Sequence, residues 1–315
     1  MAPQLILFEG ISGSGKSYSS QLLSFYYKRQ GHCTHWLYEN SLSKAIYPAE
    51  QVATISSRKE CELLYEKALK NWQQLVKEAQ LNRSNITIVD AHYLQILITT
   101  MLAFAFAEEE IINNITKINT IISELSPQFI YYRQKDIAKS LQRTLSSRGR
   151  DFEHYLLEKI QQSAYLMNKQ LSGRALLSHF FSQYQQILDQ AFALSDFQKL
   201  TLNDPHSAWQ ETQAKIQQFL SINDMNSPNC APQLSAMIIG TYQLESPETS
   251  WKIIAQENTL FLLTPQKLRL FFLKNKSFQV EGMETRIEFV TIKNNPSQYL
   301  LYQQENEADL KFVKQ

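Results

Sequence analysis

The chain has 315 residues, of which 43% are hydrophobic and 11% aromatic, enough apolar material for one large core and a smaller one. Its 31 basic and 30 acidic residues give a formal net charge of +1, which argues against a nucleic acid polymer as the main partner. The three cysteines are far apart and form no CxxC pair, so we expect reduced thiols in a cytoplasmic protein without a secretory signal.

Short apolar runs alternate with helical patterns through residues 1–222, which we interpret as the first domain. This alternation is typical of βαβ units and predicts a five-stranded parallel sheet that helices cover on both faces. The predicted strands are 4–9, 34–39, 86–90, 128–132 and 197–202, and the predicted helices are 16–30, 58–81, 91–107, 108–124, 136–145, 152–170 and 208–220.

Residues 91–107 lack any Asp, Glu, Lys or Arg side chain. Seventeen such residues reach the short limit for a membrane-spanning helix. Because the stretch also includes histidine, glutamine and threonine, we interpret it as a buried core helix and expect no membrane association.

The pattern changes after a polar, proline-containing linker at residues 223–229. Residues 233–315 form the second predicted domain, a small antiparallel β domain in which asparagine and proline separate short strands. Its opening, Ile239-Gly240-Thr241-Tyr242, is similar to the start of small barrel-like modules appended to bacterial enzymes. The predicted strands are 259–263, 267–273, 277–280, 285–292 and 298–302.

Residues 10–17 fit the phosphate-binding pattern G-x-x-x-x-G-K-[ST] at every fixed position, between a predicted strand and a predicted helix. Glycines let backbone N–H groups point at phosphate oxygens, and the helix adds its positive end. Lys16 is expected to bind the β and γ phosphates, and the Ser17 hydroxyl a Mg²⁺ ion. The predicted backbone contacts come from Gly10, Ser12, Gly13, Ser14 and Gly15.

Phe8-Glu9-Gly10, together with the loop, resembles the start of thymidylate kinases and deoxynucleoside kinases. Arg143 and the segment 148–153 resemble the arginine-rich lid of those enzymes. The resemblance covers roughly residues 1–221 and implies a P-loop NTPase three-layer α/β sandwich that binds ATP and Mg²⁺. More loosely, Trp36-Leu37-Tyr38-Glu39 is similar to bacterial P-loop proteins that carry a small β domain behind a kinase-like core.

Arg148 and Arg150 flank Gly149 at a break in the helical pattern. Phosphoryl transfer develops negative charge that positioned cations must stabilise, and a mobile segment with two arginines suits that task. We therefore predict a lid in which both arginines are catalytic and Arg143 binds the nucleotide. A solvated basic connection is the alternative.

Two carboxylates end predicted strands, at the sheet edge where α/β proteins bind ligands. Glu39 ends the second strand, and the resemblance implies that it contacts the acceptor hydroxyl. Asp90 ends the third strand, where such an acid supports Mg²⁺. Asp90 could instead cap the next helix.

The acceptor side departs from the kinases that the loop resembles. Those enzymes have Asp-Arg or Glu-Arg after the third strand, whereas this chain has Asp90 followed by Ala91 and His92. Glu39-Asn40-Ser41 stands where they carry REP or EPV. His92 is a candidate substitute contact, or only a polar neighbour.

These features predict an ATP-dependent phosphotransferase with Lys16, Glu39, Arg148 and Arg150 as catalytic residues. The expected acceptor is a small molecule, foremost a nucleoside or nucleoside monophosphate. An ATP-gated binding protein with weak hydrolysis, and a kinase of a protein or an antibiotic, are the alternatives, and a homodimer stays open. The histidines and cysteines show no metal-ligand spacing, so Mg²⁺ at Ser17 and Asp90 is the only metal expected.

Overall fold

The computed structural model describes residues 5–38, 46–82, 85–161, 171–225, 232–244, 250–256, 259–264, 267–274, 276–283, 286–291, 298–303 and 310–315. The chain divides into two compact units, Met1–Asp224 and Met225–Gln315.

The first unit contains a five-stranded sheet in the order β2-β3-β1-β4-β5, and every pair of neighbouring strands is parallel. The two central strands β1 and β3 are buried along their whole length, as expected for apolar strands covered on both faces. The strands are β1 (Leu5–Gly10), β2 (Thr34–Leu37), β3 (Ile86–Asp90), β4 (Gln128–Arg133) and β5 (Gln198–Asn203). The predicted α/β class is thus confirmed.

Nine helices of the described residues belong to this unit, and 3-10 turns lie at Ser123–Leu125 and Pro205–Ser207. None of the helices described in the protein combines the length and the apolarity needed to cross a bilayer. The helices are α1 (Lys16–Arg29), α2 (Ala49–Thr54), α3 (Arg58–Leu81), α4 (Gln95–Ala103), α5 (Glu108–Ile122), α6 (Ile137–Arg148), α7 (Arg150–Gln161), α8 (Gly173–Leu194) and α9 (Trp209–Leu220).

The predicted helices differ most from the structure in three places. The charge-free stretch holds only α4, nine residues long, because Ala91 and Ala105 adopt left-handed backbone conformations at either side of it. The predicted pause at residues 146–150 shrinks to Gly149, whose φ of 85° separates α6 from α7. The 22-residue α8 was not predicted at all, and residues 162–170 of the predicted 152–170 helix lie outside the described residues.

A chain of aromatic rings joins the helices to the sheet in the core of this unit. Trp72 of α3 lies 6.2 Å from Tyr93, Tyr93 lies 5.4 Å from Phe129 of β4, and Phe129 lies 4.9 Å from Phe192 of α8. All three contacts are edge-on, the geometry that aromatic pairs prefer. These ring contacts connect α3, β4 and α8 within the core of this unit.

The second unit is a closed eight-stranded antiparallel barrel in the order β10-β11-β12-β13-β6-β7-β8-β9. Inward-facing aliphatic and aromatic side chains fill its core, with Tyr242, Phe278 and Phe312 almost fully buried. The predicted antiparallel β domain is confirmed, although β6, β7 and β13 were not predicted as strands. The elements are α10 (Pro232–Ile238), β6 (Gly240–Leu244), β7 (Ser250–Gln256), β8 (Thr259–Leu263), β9 (Lys267–Lys274), β10 (Ser277–Val280), β11 (Arg286–Thr291), β12 (Gln298–Gln303) and β13 (Leu310–Lys314).

Candidate functional site

The phosphate-binding pattern forms the loop between β1 and α1, at the carboxyl edge of the sheet. Gly15 is the N-cap residue of α1, and no side chain caps that helix end. The first turn of α1 contains no acidic residue either. An uncapped helix start at which backbone N–H groups point outward attracts anions, and this one suits a phosphate.

Lys16 and Ser17, the two side chains expected to act on ATP, open this helix. Lys16 is only 4% exposed, and its Nζ donates a hydrogen bond to the Ile11 carbonyl at 3.4 Å. Ser17 is exposed, while Ser12 is half-buried and Ser14 is buried. The ammonium group therefore lies on the inner side of the loop, where it can exchange its long carbonyl contact for phosphate oxygens.

Glycine is needed in the loop for two different steric reasons. At Gly10 (φ 154°) a Cβ would lie 2.7 Å from the Tyr132 carbonyl oxygen, so β4 approaches too closely for any side chain. At Gly13 (φ 76°) a Cβ would lie 2.0 Å from Oγ1 of Thr144. Glycine is thus required at both positions because β4 and α6 pack directly against the loop backbone and leave no room for a Cβ.

Three residues distant in sequence contact the loop at its carbonyl groups. The Tyr184 hydroxyl donates to the Gly10 carbonyl at 3.3 Å. Thr144 Oγ1 lies 3.5 Å from the Ser12 carbonyl oxygen, while its shorter hydrogen bond goes to the Ser140 carbonyl at 3.0 Å. Nε2 of His206 lies 2.7 Å from the Gly13 carbonyl oxygen. These contacts engage carbonyl groups of the loop from outside, while the Ser14 N–H donates within the loop to the Ile11 carbonyl at 3.2 Å.

Two buried carboxylates, Glu9 near the end of β1 and Asp90 at the end of β3, lie at this edge of the sheet. Oε1 of Glu9, which is fully buried, accepts a hydrogen bond from the Leu94 N–H at 2.7 Å. Burial raises the pKa of Glu9 to about 7, although the Leu94 N–H and the Lys16 charge act in the opposite direction. Asp90 is 1% exposed and pairs with Phe8 in the sheet register, so its charge also raises the Glu9 pKa.

The alternative interpretation of Asp90 as a helix cap does not hold. Ala91 follows it with a φ of 65°, and the N-cap residue of α4 is Leu94, four residues beyond Asp90. The carboxylate therefore lies at the sheet edge rather than at a helix start.

Of the arginines predicted for the lid, Arg148 and Arg150 lie at the junction of α6 and α7, and Arg143 lies within α6. Arg143 is half-buried and donates to Gln134 Oε1 at 3.3 Å and to Ser140 Oγ at 3.0 Å. Arg148 and Arg150 are exposed, and the Arg148 guanidinium lies 4.7 Å from the Phe152 ring centroid. Arg148 shares the lining of one cavity with Ser12, which connects the arginine segment to the loop.

The predicted acceptor contacts are less well placed. Glu39 lies outside the described residues. His92 is 0% exposed and stacks on Tyr47 with ring centroids 6.5 Å apart, so it is a packed side chain rather than an available substrate contact. Trp36, which belongs to the motif of the looser resemblance and was not predicted as an acceptor contact, is also packed, since its Nε1 donates to Ser20 Oγ at 3.0 Å.

A cavity of about 430 Å³ opens beside the loop. Its described lining comes from Ser12 and from α2, α4, α6, α7 and α8 together with the residues next to them. Gln95, Phe180 and Tyr184 belong to this lining and were not predicted as site residues. A volume of this size accommodates a small molecule next to a phosphate bound at the loop.

The donor set fits ATP with Mg²⁺. The free N-terminus of α1 and the Lys16 ammonium match a polyphosphate, while the exposed Ser17 hydroxyl and the Asp90 carboxylate provide the oxygen ligands that Mg²⁺ prefers. Among the described residues, no group of three or more His, Cys, Asp and Glu side chains has the arrangement of a metal site. A metal at this edge would therefore depend on phosphate oxygens for part of its coordination.

No protein-family model matches the chain, and no curated protein matches it. Among solved structures, a thymidylate kinase from Candida albicans is similar over 71% of this chain and 96% of its own length, with a TM-score of 0.38 and 16% sequence identity.

Proposed function

We propose that the protein is a Mg-ATP-dependent phosphotransferase that moves the γ-phosphoryl group to a small-molecule acceptor, foremost a nucleoside or nucleoside monophosphate. The observation that carries this proposal is the shared cavity. It joins Ser12 of an uncapped, phosphate-type loop to Arg148 and leaves room for a second substrate.

Each residue has a separate task in this reaction. Lys16 and the first turn of α1 bind the β and γ phosphates, with Gly10, Gly13 and Gly15 giving the backbone its approach. Bound Mg²⁺, held by Ser17 and Asp90, would neutralise charge on the phosphates.

The arginines and the remaining carboxylate complete the site. Arg143 binds the nucleotide, and Arg148 and Arg150 stabilise the charge that develops on the transferring group. Glu39 orients the acceptor hydroxyl or accepts its proton. The partner of the protein in this account is a small molecule in the cytoplasm rather than a nucleic acid polymer.

ADP formation in the presence of nucleosides and nucleoside monophosphates tests the proposal. Lys16→Ala should lower acceptor-dependent turnover at least about a hundredfold, because one preorganised electrostatic contact is worth that much in the transition state. Lys28→Ala, an exposed lysine at the other end of the same helix, is the matched control and should turn over like the wild type.

Two results would contradict the proposal. Full turnover in Lys16→Ala would remove the assigned phosphate site. ADP release that no acceptor stimulates would instead favour a nucleotide-gated binding protein.

A further inference from the structure

The described lining of the cavity beside the loop contains six aromatic, six aliphatic and seven polar or charged residues. The aromatic ones include Phe152 of α7 and Phe180 and Phe181 of α8, and the latter two rings lie 5.8 Å apart at 90°. Hydrophobic side chains thus make up most of the lining, and the aliphatic ones come from α2, the residue after it, α4 and α7. Such a surface stabilises a flat apolar body through buried area and ring contacts.

Charges occur only at the exposed part of this lining. Its described residues include no Asp or Glu, and the two cations, Arg148 and Lys159, are both exposed. Each cation lies over an aromatic ring of its own segment, Arg148 over Phe152 at 4.7 Å and Lys159 over Tyr155 at 5.8 Å. A charged group placed deeper in the cavity would lose water without gaining an ionic partner.

One polar side chain on the inner wall lacks a partner. Gln95 is 6% exposed, and its Oε1 accepts no hydrogen bond from the described residues. The neighbouring Thr99 hydroxyl donates to the Gln95 backbone carbonyl at 2.7 Å and so does not supply the missing donor. A buried acceptor without a donor is unfavourable, and a ligand N–H or O–H would satisfy it.

We propose that this cavity binds an uncharged, largely aromatic molecule that donates one hydrogen bond to Gln95, and that this molecule is the phosphoryl acceptor. The assignment of this molecule as the acceptor rests on the proposed function. An uncharged ligand favours an alcohol over a phosphate monoester as the acceptor. The acceptor oxygen forms a bond to the γ-phosphorus, the bond to the β–γ bridging oxygen breaks, the hydroxyl proton is released and ADP leaves.

Binding of N-phenyl-1-naphthylamine to the full chain, followed by its fluorescence, tests the pocket without any nucleotide. This probe is uncharged and aromatic and carries one N–H group. Its N-methyl derivative lacks the N–H, and 8-anilinonaphthalene-1-sulfonate adds a negative charge to the same rings. Because ATP is absent, a failure here is distinct from a failure of the Lys16→Ala test.

The wild type should bind the N–H probe saturably, and the sulfonate at least about tenfold more weakly. Gln95→Leu should weaken the N–H probe about threefold to tenfold and leave the N-methyl probe unchanged, since only the hydrogen bond is removed. Thr100→Trp, which fills the cavity, should abolish both, whereas Thr116→Trp on the exposed face of α5 should not.

Three outcomes would overturn the inference. One is the absence of saturable probe binding to the wild type. Another is equal weakening of both uncharged probes by Gln95→Leu, because that would reflect a change of shape. The third is that the wild type binds the sulfonate more tightly than the uncharged N–H probe, and that Thr100→Trp abolishes this binding of the sulfonate. If Thr100→Trp fails to fold, Gln95→Leu still decides, because it replaces one buried side chain by another of similar volume.

Discussion

Nε2 of His206 donates a hydrogen bond to the carbonyl oxygen of Gly13, 193 positions earlier in the chain, at 2.7 Å. A carbonyl only accepts, so Nε2 of the ring carries the proton. Burial lowers the pKa of His206, and the nearby Arg143 charge lowers it further, against the effect of the Gly13 carbonyl. The ring is thus held neutral as a donor at neutral pH and fixes the centre of the phosphate-binding loop.

Replacing this histidine should loosen the loop without unfolding the protein. We expect His206→Leu to weaken MgATP binding about threefold to tenfold, the effect of one lost hydrogen bond, as measured by calorimetry. His35→Leu, at an exposed position of β2, should bind MgATP like the wild type. Equal affinity in both variants would show that His206 does not position the loop.

Gly13 offers a second test, because its conformation and its crowding can be separated. Gly13→Ala combines a positive φ of 76° with a contact of 2.0 Å to Thr144 Oγ1, whereas Gly31→Ala meets a φ of 84° with no atom within 4 Å. Urea unfolding should give a loss of about 1–2 kcal/mol for Gly31→Ala and at least about 1 kcal/mol more for Gly13→Ala. Adding Thr144→Ala to Gly13→Ala should recover part of that excess. Equal losses in the two single variants would contradict the packing described for Gly13.

The parallel sheet and the loop could be predicted from sequence because their signals are local. β3 and α3 coincide with their predicted boundaries, since each has an apolar pattern that ends at a polar residue. Helix α8 also carries a local signal, with Leu176, Phe180, Tyr184 and Leu188 at four-residue spacing, all of them buried. The sequence therefore holds enough local information for α8, which is not among the predicted helices.

The residues that complete the site carry no such signal. The topology places three distant segments beside the loop, and each contributes one contact. They are Tyr184 of α8, Thr144 of α6 and His206 of the turn before α9. Gln95 reads as one polar residue in an apolar helix until the cavity next to it is known. Glu9 is part of the Phe8-Glu9-Gly10 motif, and an acid near the end of a buried strand is in addition a local sign of an unusual environment.

The buried Glu9 should make stability depend on pH. Its pKa of about 7 in the folded state lies above the ordinary value of 4.5, so the folded state holds this proton more tightly than the unfolded state. The stabilisation is therefore complete below pH 4.5 and is lost as the pH rises through 7. At about 1.4 kcal/mol per pKa unit, the loss is on the order of 3 kcal/mol.

Comparison of the wild type with Glu9→Gln isolates this contribution. Urea unfolding at pH 5 and pH 8 should show a decline for the wild type that Glu9→Gln lacks. Glu66→Gln, at an exposed position of α3, should decline like the wild type. A parallel pH dependence in all three proteins would show that Glu9 ionises normally.

Glu153 and Arg174 form a two-point ion pair between α7 and the start of α8, with N–O distances of 2.7 and 2.9 Å. The hydrogen bonds from Arg174 lower the pKa of Glu153, and those to Glu153 raise the pKa of Arg174. Because Arg174 is 64% exposed and Glu153 keeps 20% of its side chain exposed, removal of the pair should change the unfolding midpoint little. The pair does, however, connect α7, which begins with Arg150, to α8.

Breaking the pair should therefore affect kinetics more than stability. We expect Glu153→Gln and Arg174→Gln each to raise the KM for ATP severalfold, and the exchange variant Glu153→Arg with Arg174→Glu to restore most of it. Lys215→Gln, which removes an exposed ion pair with Glu211 within α9, is the matched control and should leave the KM unchanged. An unchanged KM for ATP in all of these variants would show that the Glu153–Arg174 pair does not position Arg150 for ATP binding.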